Sequence, residues 1–162
     1  MTGDRSVRVA AVLGAAVLLL LVGAVAQGYQ FWEDRSTARA AGAAIDAAAE
    51  SVPRLLSYDA NSIDATAAVI DEVSTGDFRN QFSQLFNTTV KPAALAQNAS
   101  SKATVVARSE VSAASDKVVA LLFINQSTVS RKLPGERVDT IEARVTMERV
   151  DGRWLVSGMD QM

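Results

Sequence analysis

Residues 142–156 read EARVTMERVDGRWLV. The dipeptide Asp151-Gly152 inside this stretch accepts positive φ at two successive positions, which a two-residue type I′ hairpin turn demands. With a loop of that length Val150 pairs with Arg153, Arg149 with Trp154, and Met147 with Val156. On the first arm Ala143, Val145 and Met147 alternate with Glu142, Arg144, Thr146 and Glu148. A period of two turns one face of a strand to a core and the other to water. Trp154 and Val156 then join Val145 and Met147 on the apolar face.

Working upstream, the same alphabet continues. Val118 to Ile124 is an uninterrupted seven-residue apolar run rich in β-formers, expected to be a central strand covered on both faces. Ala103, Val105, Ala107 and Val111 alternate with polar neighbours, as in a half-buried strand, and Ser112 to Asp116 makes a turn. The polar stretch Ser127 to Arg137, with Pro134-Gly135 inside it, reads as a long loop or a frayed hairpin end.

Before Asn98 the period lengthens to that of a helix. Ala38, Ala41, Ile45, Ala48 and Val52 recur three or four apart, predicting a helix perturbed at Pro53, with Leu55 and Leu56 in a last turn or a second short piece. Asn61 or Ser62 caps a second helix bearing Ile63, Ala67, Ile70 and Val73, which ends at Ser74-Thr75-Gly76. Asp77 opens a third, with the stripe Phe78, Phe82, Leu85, Phe86 and Thr89, interrupted at Lys91-Pro92. Helices followed by antiparallel strands give the α+β class.

The amino-terminal end is of another kind. From Val9 to Ala26 all eighteen residues are Val, Leu, Ala or Gly, and no charge falls between Arg8 and Glu33. At ~1.5 Å per residue this run spans about 27 Å, close to the hydrocarbon thickness of a bilayer. Its ten Val and Leu residues favour insertion by about 3 to 6 kcal/mol. Tyr29, Phe31 and Trp32 follow as an interfacial aromatic belt, and Arg5 and Arg8 before the run hold the short tail in the cytoplasm. The competing reading is a signal peptide cleaved after Ala24-Val25-Ala26, but the run exceeds the ~7–15 residues of a usual signal core. No Gly/Ser-rich spacer follows, so the exported domain is expected close to the bilayer.

Composition narrows the chemistry. The 162 residues contain no Cys and no His, with 16 basic against 18 acidic groups. Disulfides, thiol nucleophiles, imidazole ligands and Ser-His-Asp triads are therefore excluded. The slight negative charge lacks the basic excess of a nucleic-acid binder. No metal or other cofactor is implied.

Several pieces, in order, resemble one known family. Leu55-Leu56-Ser57-Tyr58-Asp59, Thr75-Gly76-Asp77-Phe78-Arg79, Lys91-Pro92-Ala93-Ala94, Leu122-Phe123-Ile124-Asn125-Gln126 and Glu148 to Val156 are similar to the Mce-associated membrane proteins of mycobacteria and related actinobacteria. The resemblance implies an NTF2-like (SnoaL-like) cone, with about three helices packed on a curved antiparallel sheet of three to four strands. It also implies an accessory or stabilising subunit of Mce complexes, which move sterols and fatty acids across the envelope. The expected organisation is a cytoplasmic tail over 1–8, a membrane helix over 9–30, a juxtamembrane helix over 31–60, and the remainder of an extracytoplasmic domain over 61–162. The expected location is the cytoplasmic (inner) membrane, single-pass, with protein subunits of the transport complex and, in a second reading, lipid as partners.

Two further readings compete with the accessory subunit. A lipid- or sterol-binding cone would use an apolar pocket, for which Tyr58, Phe82, Phe86, Phe123, Met147 and Trp154 are the candidates; packing of the domain's own core accounts for them equally well. An isomerase, as found among enzymes sharing the cone, needs a carboxylate base and an oxyanion donor. Only Tyr58 with Asp59 or Asp64 offers these, and both Asp suit turn and capping work. No catalytic residue is therefore assigned. For the anchor, amino-terminal sequencing of the mature protein is expected to find residues ahead of Val9; a chain starting at Gln27 contradicts it.

Overall fold

Alanines three and four apart shape the first element. The computed structural model describes residues 36–162, in which helix α1 runs over 36–56; Arg39–Met162 forms one compact unit. The expected tail over 1–8 and membrane helix over 9–30 lie outside the described residues, among which no helix is long and apolar enough to cross a membrane. Ala41, Ala44, Ala48, Val52 and Leu55 are the buried apolar stripe of α1. Pro53 does not end the helix. A proline inside a helix costs ~3 kcal/mol or more, yet burying Val52 and Leu55 returns about 1.5–3 kcal/mol for each. The last turn holds, and the Ser57 N–H donates to the Pro53 carbonyl at 3.0 Å.

A two-residue strand β1 (Tyr58–Asp59) leads through a 3-10 turn, Ala60–Ser62, into α2 (Ile63–Val73). Ser62 occupies the cap position without a side-chain bond; the Asp59 carboxylate accepts from the Asn61 N–H instead, at 2.8 Å. α2 buries Ile63, Thr66, Ile70 and Val73. α3 (Gly76–Leu85) is preceded by Thr75 at its cap position, with Asp77 in the first turn rather than at the cap. The expected break at Lys91-Pro92 is displaced upstream. Phe86–Val90 forms a π turn, and α4 (Lys91–Gln97) continues in αR geometry. Widening the helix one turn early gives the Pro92 ring room. Asn87 Nδ2 and Thr88 Oγ1 donate to the Ser83 and Gln84 carbonyls at 2.9 and 2.8 Å. α4 stops at Asn98, left-handed with φ 49°, whose successor Ala99 donates to the Ala94 carbonyl at 2.9 Å.

The strands β2 (Ser100–Ala113), β3 (Lys117–Val129), β4 (Arg137–Val150) and β5 (Arg153–Gln161) follow. With β1 they form one antiparallel sheet of five strands in chain order, one more than expected, because two residues carry no readable period. The β4–β5 register has Val150 opposite Arg153, Arg149 opposite Trp154 and Met147 opposite Val156, as the sequence predicts. Asp151 and Gly152 both take positive φ, 49° and 80°. The polar stretch is a hairpin end: Ser127 and Thr128 pair with Val138 and Arg137, leaving only 130–136 as loop.

Two expectations about the sheet are corrected. On β3 Val118, Ala120, Leu122 and Ile124 are buried beneath the helices, while Val119, Leu121 and Phe123 are half-buried on the opposite face. The strand is covered on one face because the described helices pack on that face alone. On β2 the alternation fails beyond Val105, since register shifts around Val106 and Val111 each flip it. Both bulge residues are exposed. After the first shift Arg108 lies opposite inward-facing Leu122 and pairs with Asp46 of α1 at 2.9 Å.

The core joins Ala44, Ala48, Val52 and Leu55 of α1, with Ile70, Val73 and Phe86, to Leu122, Ile124, Val145, Met147 and Val156. Met147 is fully buried at its centre, whereas Val138 on the same strand is 61% exposed. Met147→Ala is expected to lower the unfolding free energy by about 2–5 kcal/mol, and Val138→Ala to change it by no more than about 0.5 kcal/mol, in urea titrations followed by circular dichroism.

Candidate functional site

The stripe Phe78, Phe82 and Leu85 sits on α3, yet α3 has no buried residue. Phe78 and Phe82 lean on each other, ring centroids 5.4 Å apart at 32°, and Leu85 is 51% exposed. Opposite them the inner face of the sheet presents Ile141, Ala143 and Met159. Between helix and sheet lies a groove of about 330 Å³, also lined by Leu56 at the end of α1 and by the amides Gln81 and Gln161. Its lining carries no charged side chain.

A second, larger cleft of about 450 Å³ opens between the α1–β1–α2 corner and the adjoining ends of β2 and β3. Tyr58, Asp59, Thr66, Ser101, Ser127 and Arg54 are among its lining residues, and several of its polar groups already have partners. The Arg54 guanidinium forks onto the Glu72 carboxylate at 3.1 and 2.6 Å. The Ser57 hydroxyl accepts from the Ala103 N–H at 2.9 Å, and Gln126 Nε2 donates to Ser101 Oγ at 2.8 Å. The Ser127 hydroxyl donates to Glu136.

Charge placement follows from these contacts. The hydrogen bond from Arg54 holds the Glu72 carboxyl below its ordinary range, with Arg153 adding to the pull, and Glu72 in turn holds the guanidinium proton more tightly. Burial pushes the Tyr58 phenol above its ordinary value, so it stays neutral at physiological pH. Asp59 accepts from both the backbone N–H and the side-chain amide of Asn61 at 2.8 Å. Asp64 pairs with Lys91 at 2.5 Å, outside both cavities. Tyr58 and Asp59 share the polar cleft, but Asp59 is engaged by Asn61 and Asp64 lies outside the cleft. Among the described residues no group of three or more acidic side chains could hold a metal ion.

The six candidate pocket residues are divided by the fold. Phe82 lines the apolar groove and Tyr58 the polar cleft. Phe86 and Met147 are buried in the core, and Trp154 packs partly buried against it. Phe123 lies opposite Glu142, on the sheet face turned away from the helices. They line no common cavity. Gln81, Ile141, Met159 and Gln161 are the groove residues that periodicity did not single out, whereas Phe78, Leu85 and Ala143 lie on its stripes. The α3 stripe is visible in sequence, but its distance from the sheet is not.

Helices on one face of a five-stranded antiparallel sheet are the NTF2-like fold expected from the sequence, and solved structures share that fold. The chain is similar to an IcmL-like type IV secretion system protein of Legionella pneumophila, with a TM-score of 0.63 at 10% identity over 73% of this chain and 88% of that one. It is similar to Agrobacterium tumefaciens VirB8, at 0.59 and 16% over 72% and 88%. An NTF2-like superfamily protein of Salmonella enterica matches at 0.54 and 12% over 75% and 91%. In sequence the chain is 34% identical to Outer membrane protein Rv1973 of Mycobacterium tuberculosis, covering 78% of this chain and 80% of that protein. The chain belongs to the family of mycobacterial proteins represented by that relative. Uncharacterized protein Rv1362c of the same organism is 32% identical over 146 residues, 87% of this chain and 66% of the relative, so the chain spans just under two thirds of that protein. No family model matches the sequence.

The Arg54–Glu72 pair has a definite pH signature. A depressed folded-state pKa means that the native state binds fewer protons than the unfolded chain in acid. The contribution is complete above the unfolded value of about 4.3 and is lost as pH falls through the lower folded value. NMR titration is expected to find Glu72 below the ordinary glutamate range, and Arg54→Ala to move it back up toward that range.

Proposed function

We propose that this chain is a non-catalytic, membrane-anchored accessory subunit of an Mce-type lipid transport system in the cell envelope. Membership in a mycobacterial family that includes a protein named for the outer membrane carries the envelope part of this reading. The apolar run Val9 to Ala26 supplies the anchor. In this reading the chain crosses the cytoplasmic membrane once, with its amino terminus inside and its domain in the envelope space. The ordered motifs from Leu55-Leu56-Ser57-Tyr58-Asp59 to Glu148–Val156 support the Mce assignment by resemblance.

The non-catalytic part rests on how the polar groups are used. Asp59 is held in its own turn, Asp64 is paired with Lys91, and Glu72 is paired with Arg54. An acid/base catalyst needs a free group aimed at a substrate position. An IcmL-like secretion protein has the same fold, which supports protein subunits as the principal partners.

The groove beneath α3 favours a second reading, a lipid-binding cone. Its apolar lining is the kind of surface that takes an acyl chain or a sterol. The two readings are compatible in one protein. Affinity capture of the full chain from gently solubilised native membranes is expected to recover Mce components by mass spectrometry. Their repeated absence, under conditions that keep the transport complex intact, sinks the accessory reading.

A further inference from the structure

We infer that the groove between α3 and the β4–β5 end of the sheet is a binding site for a single alkyl chain whose polar end is uncharged. The inference rests on the lipid-binding reading above and names its site and its ligand class. Three observations carry it. Phe78, Phe82 and Leu85 are the apolar stripe of an amphipathic helix, yet none of them is buried and Leu85 is half in water. Such a stripe normally closes on the sheet. Here Phe78 and Phe82 only partly reach the core, and with a second apolar surface, Ile141, Ala143 and Met159, the stripe lines a groove that stays open.

The floor explains the gap. Ala143 has only a methyl group where its inward neighbours along β4 are Ile141 and Val145. The register shift after Thr146 also inserts an extra residue into β5 ahead of Met159. The groove is therefore a shallow place in an otherwise filled interior. Its volume of about 330 Å³ lies near the lower end of the ~300–1,000 Å³ of small-molecule sites, which suits one chain better than a fused-ring body.

The rim sets the polar end. Gln81 and Gln161 are the polar side chains of the lining, and no cation is among them. A carboxylate drawn in would lose hydration without gaining a partner, whereas an ester or hydroxyl is matched by neutral amides.

Photo-crosslinking of the full chain in native membranes tests this. The probe is a monoacylglycerol with a diazirine in its alkyl chain; matching free fatty acid and sterol probes run alongside, and adducts are mapped by peptide mass spectrometry. Adducts are expected on Gly76–Leu85 and around Ile141, Ala143 and Met159. Leu85→Glu is expected to reduce them about tenfold while labelling over 9–30 stays constant. Leu85 is exposed enough for the variant to fold; should its circular dichroism change, Gln161→Glu carries the same test from the far rim. Labelling confined to 9–30, groove adducts indifferent to the carboxylate, or stronger groove labelling by the acid or sterol probe each overturns the inference. Adducts elsewhere on the domain overturn the site while leaving the lipid-binding cone standing, and the absence of any domain adduct removes both.

Discussion

The close seating of α1 against the inner face of the sheet is the contact from which the rest of the domain is hung. Ala41, Ala44 and Ala48 put methyl groups where larger side chains would hold the helix away, and Val52 and Leu55 finish the stripe at its carboxyl end. Once α1 lies there, its terminus is fastened by polar contacts with little freedom. Gln126 Nε2 donates to the Leu56 carbonyl at 3.3 Å, Ser57 Oγ receives the Ala103 N–H, and Tyr58–Asp59 pair with Ser100–Ser101. Asp46 reaches Arg108 over the bulged part of β2. Those partners also explain why Pro53 is tolerated inside the helix.

The other helices make a looser agreement with the sheet. α2 is pinned by Ile63, Ile70 and Val73, and its end is stitched to β5 by the Thr75 N–H on the Val156 carbonyl at 2.9 Å. The fully buried Ser74 gives its hydroxyl proton to the Ile70 carbonyl, so this corner carries no orphaned polar group. After the corner α3 lies along β5 with Phe78 and Phe82 only partly buried against the core, and Phe86 in the π turn is the next side chain to be fully buried. Two anchored ends with an incompletely buried helix between them leave the apolar groove. The packing is thus uneven in a way that separates structural apolar residues from accessible ones.

The polar chemistry points in a single direction. With neither Cys nor His in 162 residues, reactivity would fall to carboxylates, lysines and Tyr58. The carboxylates nearest the cavities are held in a turn or in ion pairs, and burial keeps the phenol protonated. Exposed pairs of this sort contribute little stability individually; their effect is to orient the ends of helices.

Much of this architecture could be read from the order of residues. The helix-to-strand change of period near Asn98, the β4–β5 pairing and the inward row of β4 depend on neighbours within a few positions, and local periodicity reports those directly. The eighteen-residue apolar run is legible for the same reason. What could not be read involves distance along the chain. Whether Phe123 faces the helices depends on which side of β3 they occupy, and the fate of Val106 and Val111 depends on bulges set by pairing with β3. The six aromatic and apolar candidates were dispersed because a residue type records a preference for burial, not the partner that provides it. The groove beneath α3 is of that kind: its stripe is written in Phe78, Phe82 and Leu85, but the unfilled space opposite exists only because Ala143 and a shifted β5 fall beneath it when the chain folds.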